Sequence, residues 1–545
     1  MANLSLILGV LSFLAILYRV LRSLTADRRV SNLPPGPPTL PVIGNLHQLP
    51  INQVYIKFAE LCRRYGSGGL MSLQLGPSKK VLVINSWRVA RDLLEQRGAI
   101  YSSRPTILAA QEVLPPPGDY HLSLLKYGDK WRKERKTFME FLKKSEMEKR
   151  HPIQEAESSQ FMYELLVSPE RFREHNRRYH GGIIVASAFG KRVKHYVEGG
   201  EIQRFFDLEH DFATVMAPGF VPPYDIFPFL KFIPDFLTPW RGWKQKTRSV
   251  GERQRALYRE LFLGVKERMA QGRSQDCFLA DVIRQQEKTR YTEVDVAHIG
   301  GVLLEGGAET TSGTFETFLL AMAAYPYILK AAQAEVDKFY GGNQMPTEAN
   351  AADLPYLEAC MLEVLRWRPG LAPGIPRETT QDDTYAGYFI PAGTTVLMNI
   401  WGINHDPDEF ENPDAFDPSR YLRNPNGSKE SFSVEEGLAG SEGSEGQDSS
   451  RLRRQIWTFG AGRRVCVGQN MALRSLMLTM AKVVWCFDIE PASVDGVDTS
   501  MAAFETGMVA IPKPFKVNFR VRGDDRKRII QSEWVKADEY LRQFE

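Results

Sequence analysis

The apolar residues along this chain change period several times, and each change marks an element. Residues 2–18, ANLSLILGVLSFLAILY, carry no charged side chain, and Val20 and Leu21 extend the run past Arg19. That approaches the about 20 apolar residues a membrane-spanning helix needs, with Arg19 free to snorkel. Arg22, Arg28 and Arg29 follow. Positive charge on the carboxyl side places the rest of the chain in the cytosol. A cleaved signal peptide would carry its basic region ahead of the apolar run, and none is there. Residues 2–21 therefore predict a transmembrane signal-anchor, and 22–50 a basic, proline-rich linker. Within it, Pro34, Pro35, Pro37 and Pro38 of NLPPGPPTLPVIGN (32–45) fix φ and favour a semi-rigid spacer.

From residue 51 to 545 the pattern is that of one large body, mainly helical with small sheets. Alternating apolar positions around a Gly-Pro-Ser turn in MSLQLGPSKKVLVIN (71–85) predict a β-hairpin. NSWRVARDLLEQRG (85–98) has helical spacing. Thr292 and Asp295 open a long apolar run to about Ala324, as a central buried helix would. Strand and turn signals return over 379–398, with a turn at Ala392-Gly393. QNMALRSLMLTMAKVVWCF (469–487) predicts a second buried helix. Residues 423–450 break every period: rich in Ser, Gly and Glu, they predict a disordered acidic insertion loop.

Composition changes this picture little. The chain has 545 residues, 43% hydrophobic and 25% charged, with a net charge of +3, which excludes a nucleic-acid binder defined by bulk charge. Its five cysteines form no CxxC pair, so a disulfide framework is not expected and the body suits a reducing compartment.

Chemistry concentrates in FGAGRRVCVG, residues 459–468. Glycines allow close backbone approach to something flat and bulky, and Cys466 lies just ahead of a helix amino terminus beside Arg464, where a thiolate is favoured. An inert buried cysteine needs neither glycines nor arginine. Gly306 and Gly307 sit mid-helix in GGAETT (306–311), each costing about 1 kcal/mol relative to alanine, which implies a kink or a need for space. Glu309 and Thr310 add an acid and a hydroxyl there. In EVLRWRP (363–369), Glu363 and Arg366 share a helix face, as do Trp131 and Arg135 of WRKER (131–135).

Together these motifs resemble those of the cytochrome P450 haem-thiolate monooxygenases, whose axial ligand is a cysteine thiolate. They run in that family's order at 131, 306, 363, 416 and 459, and the resemblance covers about 34–522. It implies the cytochrome P450 fold: a single large haem-binding domain behind the amino-terminal anchor, as in microsomal members. Cys466 would ligate the iron of haem b (iron protoporphyrin IX). Trp131, Arg135, Arg377 of GIPRETT and Arg464 would hold its propionates, with Phe459, Gly462 and Gly468 completing the loop. Gly306, Gly307, Glu309 and Thr310 would form an oxygen-binding groove, Thr310 and Glu309 delivering protons. Glu363 and Arg366, joined by Arg420 of FDPSRYL (416–422), would form a structural cluster supporting the haem-binding core.

The resemblance implies oxidation of a lipophilic small molecule with dioxygen. NADPH electrons would arrive through a separate reductase, with a cytochrome b5-type donor as a second source. The location would be the endoplasmic reticulum membrane, the chain crossing once. Arg132, Lys133, Lys136 and Arg451 to Arg454 offer a basic docking face. Pocket walls would come from near 105–121, 210–230, 298–310, 371–376 and 503–509, which are mainly apolar. FVPPYDIFPFLKFIPDF (220–236) suits a bilayer surface. The style of the chain resembles filamentous-fungal members acting on polyketide, phenolic or terpenoid intermediates. The alternatives are an isomerase or dehydratase of the same fold that uses no dioxygen, and a non-catalytic haem sensor. Thr310 and Glu309 argue against both.

Overall fold

The computed structural model describes residues 32–77, 79–273, 276–429, 456–505 and 509–545, with isolated positions 12 and 15. The predicted anchor at 2–21 lies outside the described residues apart from those two positions. Among the described residues no helix is long and apolar enough to cross a membrane.

The architecture is mainly α with three small sheets. Helix α1 (Val54–Tyr65) leads into β1 (Leu70–Leu75) and β2 (Lys79–Ile84). These pair antiparallel as the alternation predicts, with Met71 opposite Val83. The 85–98 segment is helical over Trp87–Ala90 but widens to a π-turn over Arg91–Gln96. Next come α2 (Leu108–Val113), α3 (Asp129–Phe141), α4 (His151–Val167), α5 (Phe172–Ile184), α6 (Glu201–Met216) and α7 (Trp243–Ala270). After these run α8 (Glu293–Ala324), α9 (Pro326–Tyr340) and α10 (Pro355–Trp367). Strands β3 (Arg377–Glu378) and β6 (Thr395–Met398) join the first sheet in the order β1-β2-β6-β3, with β2 and β6 parallel. Strands β4 (Asp383–Tyr385) and β5 (Tyr388–Ile390) form a separate hairpin. The chain ends with α11 (Ser419–Arg423), α12 (Gln469–Cys486), the β7–β8 pair (Phe487–Pro491 and Val517–Val521) and α13 (Asp524–Leu541).

Helix α8 is the axis of the main core. A capping box starts it: Asp295 N–H donates to Thr292 Oγ1 (3.1 Å) and Thr292 N–H to Asp295 Oδ2 (2.8 Å). It packs on α5, α7, α10 and α12. Small residues permit the approach: a Cβ on Gly301 would lie 2.3 Å from the Tyr258 ring, and one on Gly307 2.6 Å from Ile184.

Two expectations change. The proline segment is fastened to the body from Pro34 onward: Ser72 N–H donates to Pro35 O (3.1 Å), and Ser72 Oγ to Pro34 O (2.5 Å). It lines β1 because proline carbonyls still accept though the ring removes the donor. The acidic insertion also starts later than 423. Asn424 is buried and bonds Ser428 O (2.9 Å), and Lys429 N–H donates to Glu409 O (2.8 Å). Residues 430–450 lie outside the described residues.

Candidate functional site

The Cys466 loop is built by three layers of contacts. Deepest is the Glu363 carboxylate of α10, fully buried. Arg366 grips it through two bonds (Nε–Oε2 2.7 Å, Nη2–Oε1 2.8 Å), Arg420 Nε approaches at 3.1 Å, and Asp417 N–H donates at 2.9 Å. The spare Arg366 Nη1 donors end on Asn404 O (2.9 Å) and Pro413 O (2.8 Å). Buried charges are tolerated when paired and fully hydrogen-bonded. Above this knot, Thr458 Oγ1 donates to Leu365 O of α10 (2.7 Å), which fixes the residue before Phe459. Phe459 O then accepts Cys466 N–H (2.9 Å), closing the loop.

Its glycines have different duties. Gly462 sits at φ +58°, and a Cβ there would lie 1.8 Å from Leu94 O, so the 91–96 turn excludes any side chain. A Cβ on Gly468 would only touch Cys466 Sγ at 3.9 Å, so this protein's own atoms do not demand glycine there. Cys466 is exposed, yet burial pushes its thiol up from its ordinary value; the amides of Gly468 and Gln469 and the charge of Arg135 oppose this. Cys466 thus keeps accessible surface while lying among enough protein to shift its thiol. The expected preference for thiolate is therefore outweighed by burial in the protein alone.

Four arginines gather here. Arg464 donates to Ser102 O (2.8 Å), Leu122 O (3.2 Å) and Leu125 O (2.5 Å), and its guanidinium lies 4.5 Å from the Trp131 ring. Arg135 lies over the same ring at 5.5 Å and donates to Val465 O (3.0 Å). Arg377 donates to Ala461 O (2.8 Å), but its Nη1 is buried without a hydrogen-bond partner. Arg104, which the sequence did not single out, donates to Ser123 O, Ile375 O and Pro376 O, each at 2.7 Å. Burial and then the neighbouring guanidinium charges pull Arg464 down to about 9 and Arg104 well below its ordinary value. Arg377 falls to about 10, burial and Arg135 outweighing the help of Glu95. The cluster repels itself and has a spare buried donor, so it fits an anion with more than one carboxylate.

The other wall comes from α8. Its flanks are buried, but Gly306 is exposed and a Cβ there would meet nothing within 4 Å. Gly306 and Gly307 thus divide the work, one leaving open space and the other admitting α5. Thr310 Oγ1 donates to Gly306 O (2.8 Å), which commits its proton and leaves its lone pairs free to accept. Burial pushes the Glu309 carboxyl up to about 7, with Arg177 opposing and Glu305 adding.

An accessible interior thiol, an arginine cluster with a spare donor and an open turn in a buried helix fit a flat, dianionic macrocycle such as haem. These are the features expected of a haem-thiolate protein. The chain belongs to the cytochrome P450 family, whose sequence model matches residues 34–519. Its relatives include the monooxygenase yanC of Aspergillus niger, 35% identical over 94% of this chain and 94% of that protein. A cytochrome P450 monooxygenase of Arthrobotrys oligospora is 34% identical over 95% and 94%. The monooxygenase fogE of Aspergillus ruber is 32% identical over 94% and 91%. The chain is an enzyme of this monooxygenase class.

Sequence reasoning also passed over His121, Glu209, Gln254, Tyr258 and Glu305, which form a buried polar group beside this wall. One signal was present. Glu305 stands four residues before Glu309 in an otherwise apolar helical run, and like charges at that spacing repel.

Proposed function

We propose that this enzyme is a membrane-anchored monooxygenase that oxidises a small lipophilic molecule, with NADPH electrons passed on by a separate reductase. Bound haem supplies the redox chemistry that activates dioxygen. Cys466 holds the iron as thiolate. Arg135, Arg377 and Arg464, with Trp131 beneath two of them, hold the propionates; the unpartnered Arg377 Nη1 supports this. Phe459, Gly462 and Gly468 shape the loop, and Glu363, Arg366 and Arg420 anchor it. Glu309, poised near neutrality, holds a proton beside the cleft, and Thr310 accepts a hydrogen bond that orients water for its transfer.

The single observation carrying this reading is the exposed Cys466 thiol, enclosed by protein and ringed by arginines. A carbon-monoxide difference spectrum of the reduced protein tests it. The wild type is expected to give the thiolate-type band and Cys466→Ser to lose it. Turnover that proceeds without NADPH and reductase would instead favour the isomerase reading, which an intact Glu309–Thr310 pair disfavours.

The basic face on α3 supports reductase docking. Arg132, Arg135, Lys136 and Lys143, with one acid, Glu140, border a shallow depression of about 320 Å³ that Trp131 also lines. Arg451 to Arg454 lie outside the described residues. Arg132→Glu with Lys136→Glu is expected to slow reductase-supported turnover several-fold at low salt. Peroxide-supported turnover should be spared; equal loss in both assays would sink the docking role. Membrane association is supported by Phe229, Phe232, Phe236 and Leu237, all exposed in the 220–237 segment. A location at the endoplasmic reticulum, in the making of a polyketide, phenolic or terpenoid product, fits the resemblance to fungal members.

A further inference from the structure

One face of α8 carries more charge than an apolar pocket wall needs. Glu305 lies directly before the exposed Gly306, one helical turn from Glu309. Its carboxylate makes three hydrogen bonds: His121 Nε2 meets Oε2 at 2.6 Å, Gln254 Nε2 donates to Oε1 at 2.9 Å, and the Tyr258 hydroxyl donates to Oε1 as well. Burial opposes its ionisation, but His121 and these donors hold it below the usual carboxylate range. His121 is itself fixed by Ser123 Oγ (2.9 Å) and stacks on Phe212 of α6.

A third carboxyl enters from α6. Glu209 is only 5% exposed, and its Oε1 is buried without a hydrogen-bond partner. Burial, then Glu305 and Glu309, raise it well above its ordinary value, which favours its protonated form. Gln254 is fully buried, and while its amide NH2 donates to Glu305 its Oε1 lacks a partner. Two unpartnered acceptors, one on α6 and one on α7, thus flank the Glu305 group, which Phe212 of α6 reaches by stacking on His121. A buried polar group without a partner is costly, and a ligand that completes it gains selectivity from that cost.

The chemistry of the occupant follows. An anion is excluded by three carboxyl groups. An ammonium would have to compete with His121, Gln254 and Tyr258 for the Glu305 carboxylate. A neutral hydroxyl matches: it donates to an unpartnered Oε1 and accepts the Glu209 proton.

We propose that Glu209 and Gln254, with His121 and Tyr258 bracing Glu305 behind them, form a specificity-determining seat for a hydroxyl of the substrate. The substrate is then an otherwise apolar small molecule bearing a hydroxyl group, held by that group against α8. This deepens the monooxygenase reading and rests on it for what happens to the substrate next.

Naphthol, its methyl ether and naphthalene serve as probes on the haem-loaded full chain, read by difference spectra. Wild type is expected to bind naphthol about tenfold or more tighter than the ether, which cannot donate. Glu209→Leu and Gln254→Leu should each bring that ratio near one while naphthalene binds as well as before or better. Glu209→Gln, which keeps a donor and an acceptor, should retain part of the preference. A naphthol preference that is absent in the wild type, or survives both leucine variants, overturns the proposal. Variants that keep the thiolate-type carbon-monoxide band are folded and loaded. Thermal-shift titration with the same probes reads the preference without any haem signal. Loss of the band in wild type would thus sink the haem-thiolate reading alone, and loss of the ratio this inference alone.

Discussion

Glu309 titrates near neutrality because burial disfavours its charge, with Arg177 only partly compensating. Its folded pKa of about 7 lies above the ordinary value of 4.5, so ionising it favours the unfolded chain. Stability from this group is therefore highest at acid pH and falls as pH rises from the ordinary carboxylate range through about 7. The carboxyl proton is available below that pH and gone above it. Product formed per NADPH consumed should accordingly fall as pH rises through about 7, and Glu309→Gln should flatten that limb. A limb unchanged in the variant would remove Glu309 from proton delivery. Glu309 was legible because an acid beside a hydroxyl in a glycine-broken helix is a local pattern. Arg104 and Glu209 were not, since their meaning lies in partners far along the chain: Ile375 and Pro376 for one, α8 for the other.

Helix α10 does more than its Glu-x-x-Arg pattern suggested. On a bare helix face Glu363 and Arg366 would be a surface pair worth little. Folding buries both and adds Arg420, and Thr458 on Leu365 ties the same helix to the cysteine loop. Glu363→Ala would strand two buried guanidinium groups at a cost of about 3–5 kcal/mol. The expected result is a lowered Tm with loss of the thiolate-type band, while Glu363→Gln, keeping the shape, should lose less. A variant with native Tm and full band would show the knot to be dispensable. The elements themselves were largely legible. Alternation gave the β1–β2 hairpin, and the capping box with an apolar run gave α8 to within a residue. The π-turn at 91–96 was not, because the loop packing over it, through Gly462 and Leu94, sets its shape rather than its own spacing.

Across the whole molecule, α13 lies beyond the region the family model matches yet is bound tightly to it. Trp534 stacks on Tyr163 of α4 at 4.1 Å, and Arg192, 6% exposed, meets Asp538 (2.7 Å) and Glu545 (2.8 Å). Arg522 and Arg526 share Asp337 of α9. Ending the chain at Gly523 would strip an apolar face of α4 and leave Arg192 without these two acids. A drop in Tm of several degrees is expected, with the thiolate-type band kept in whatever protein stays folded. An unchanged Tm would mean that α13 is an ornament on an already complete domain.

The arginine cluster bears on how the protein is made. Burial, then the charge of neighbouring guanidinium groups, disfavours the protonated forms of Arg104, Arg377 and Arg464, and an acid pair placed among them would offset this. Haem would then be a counter-ion as well as a reagent, and any ligand that binds only the folded chain shifts its folding equilibrium by mass action. Supply of haem during synthesis is thus expected to raise the yield of folded enzyme.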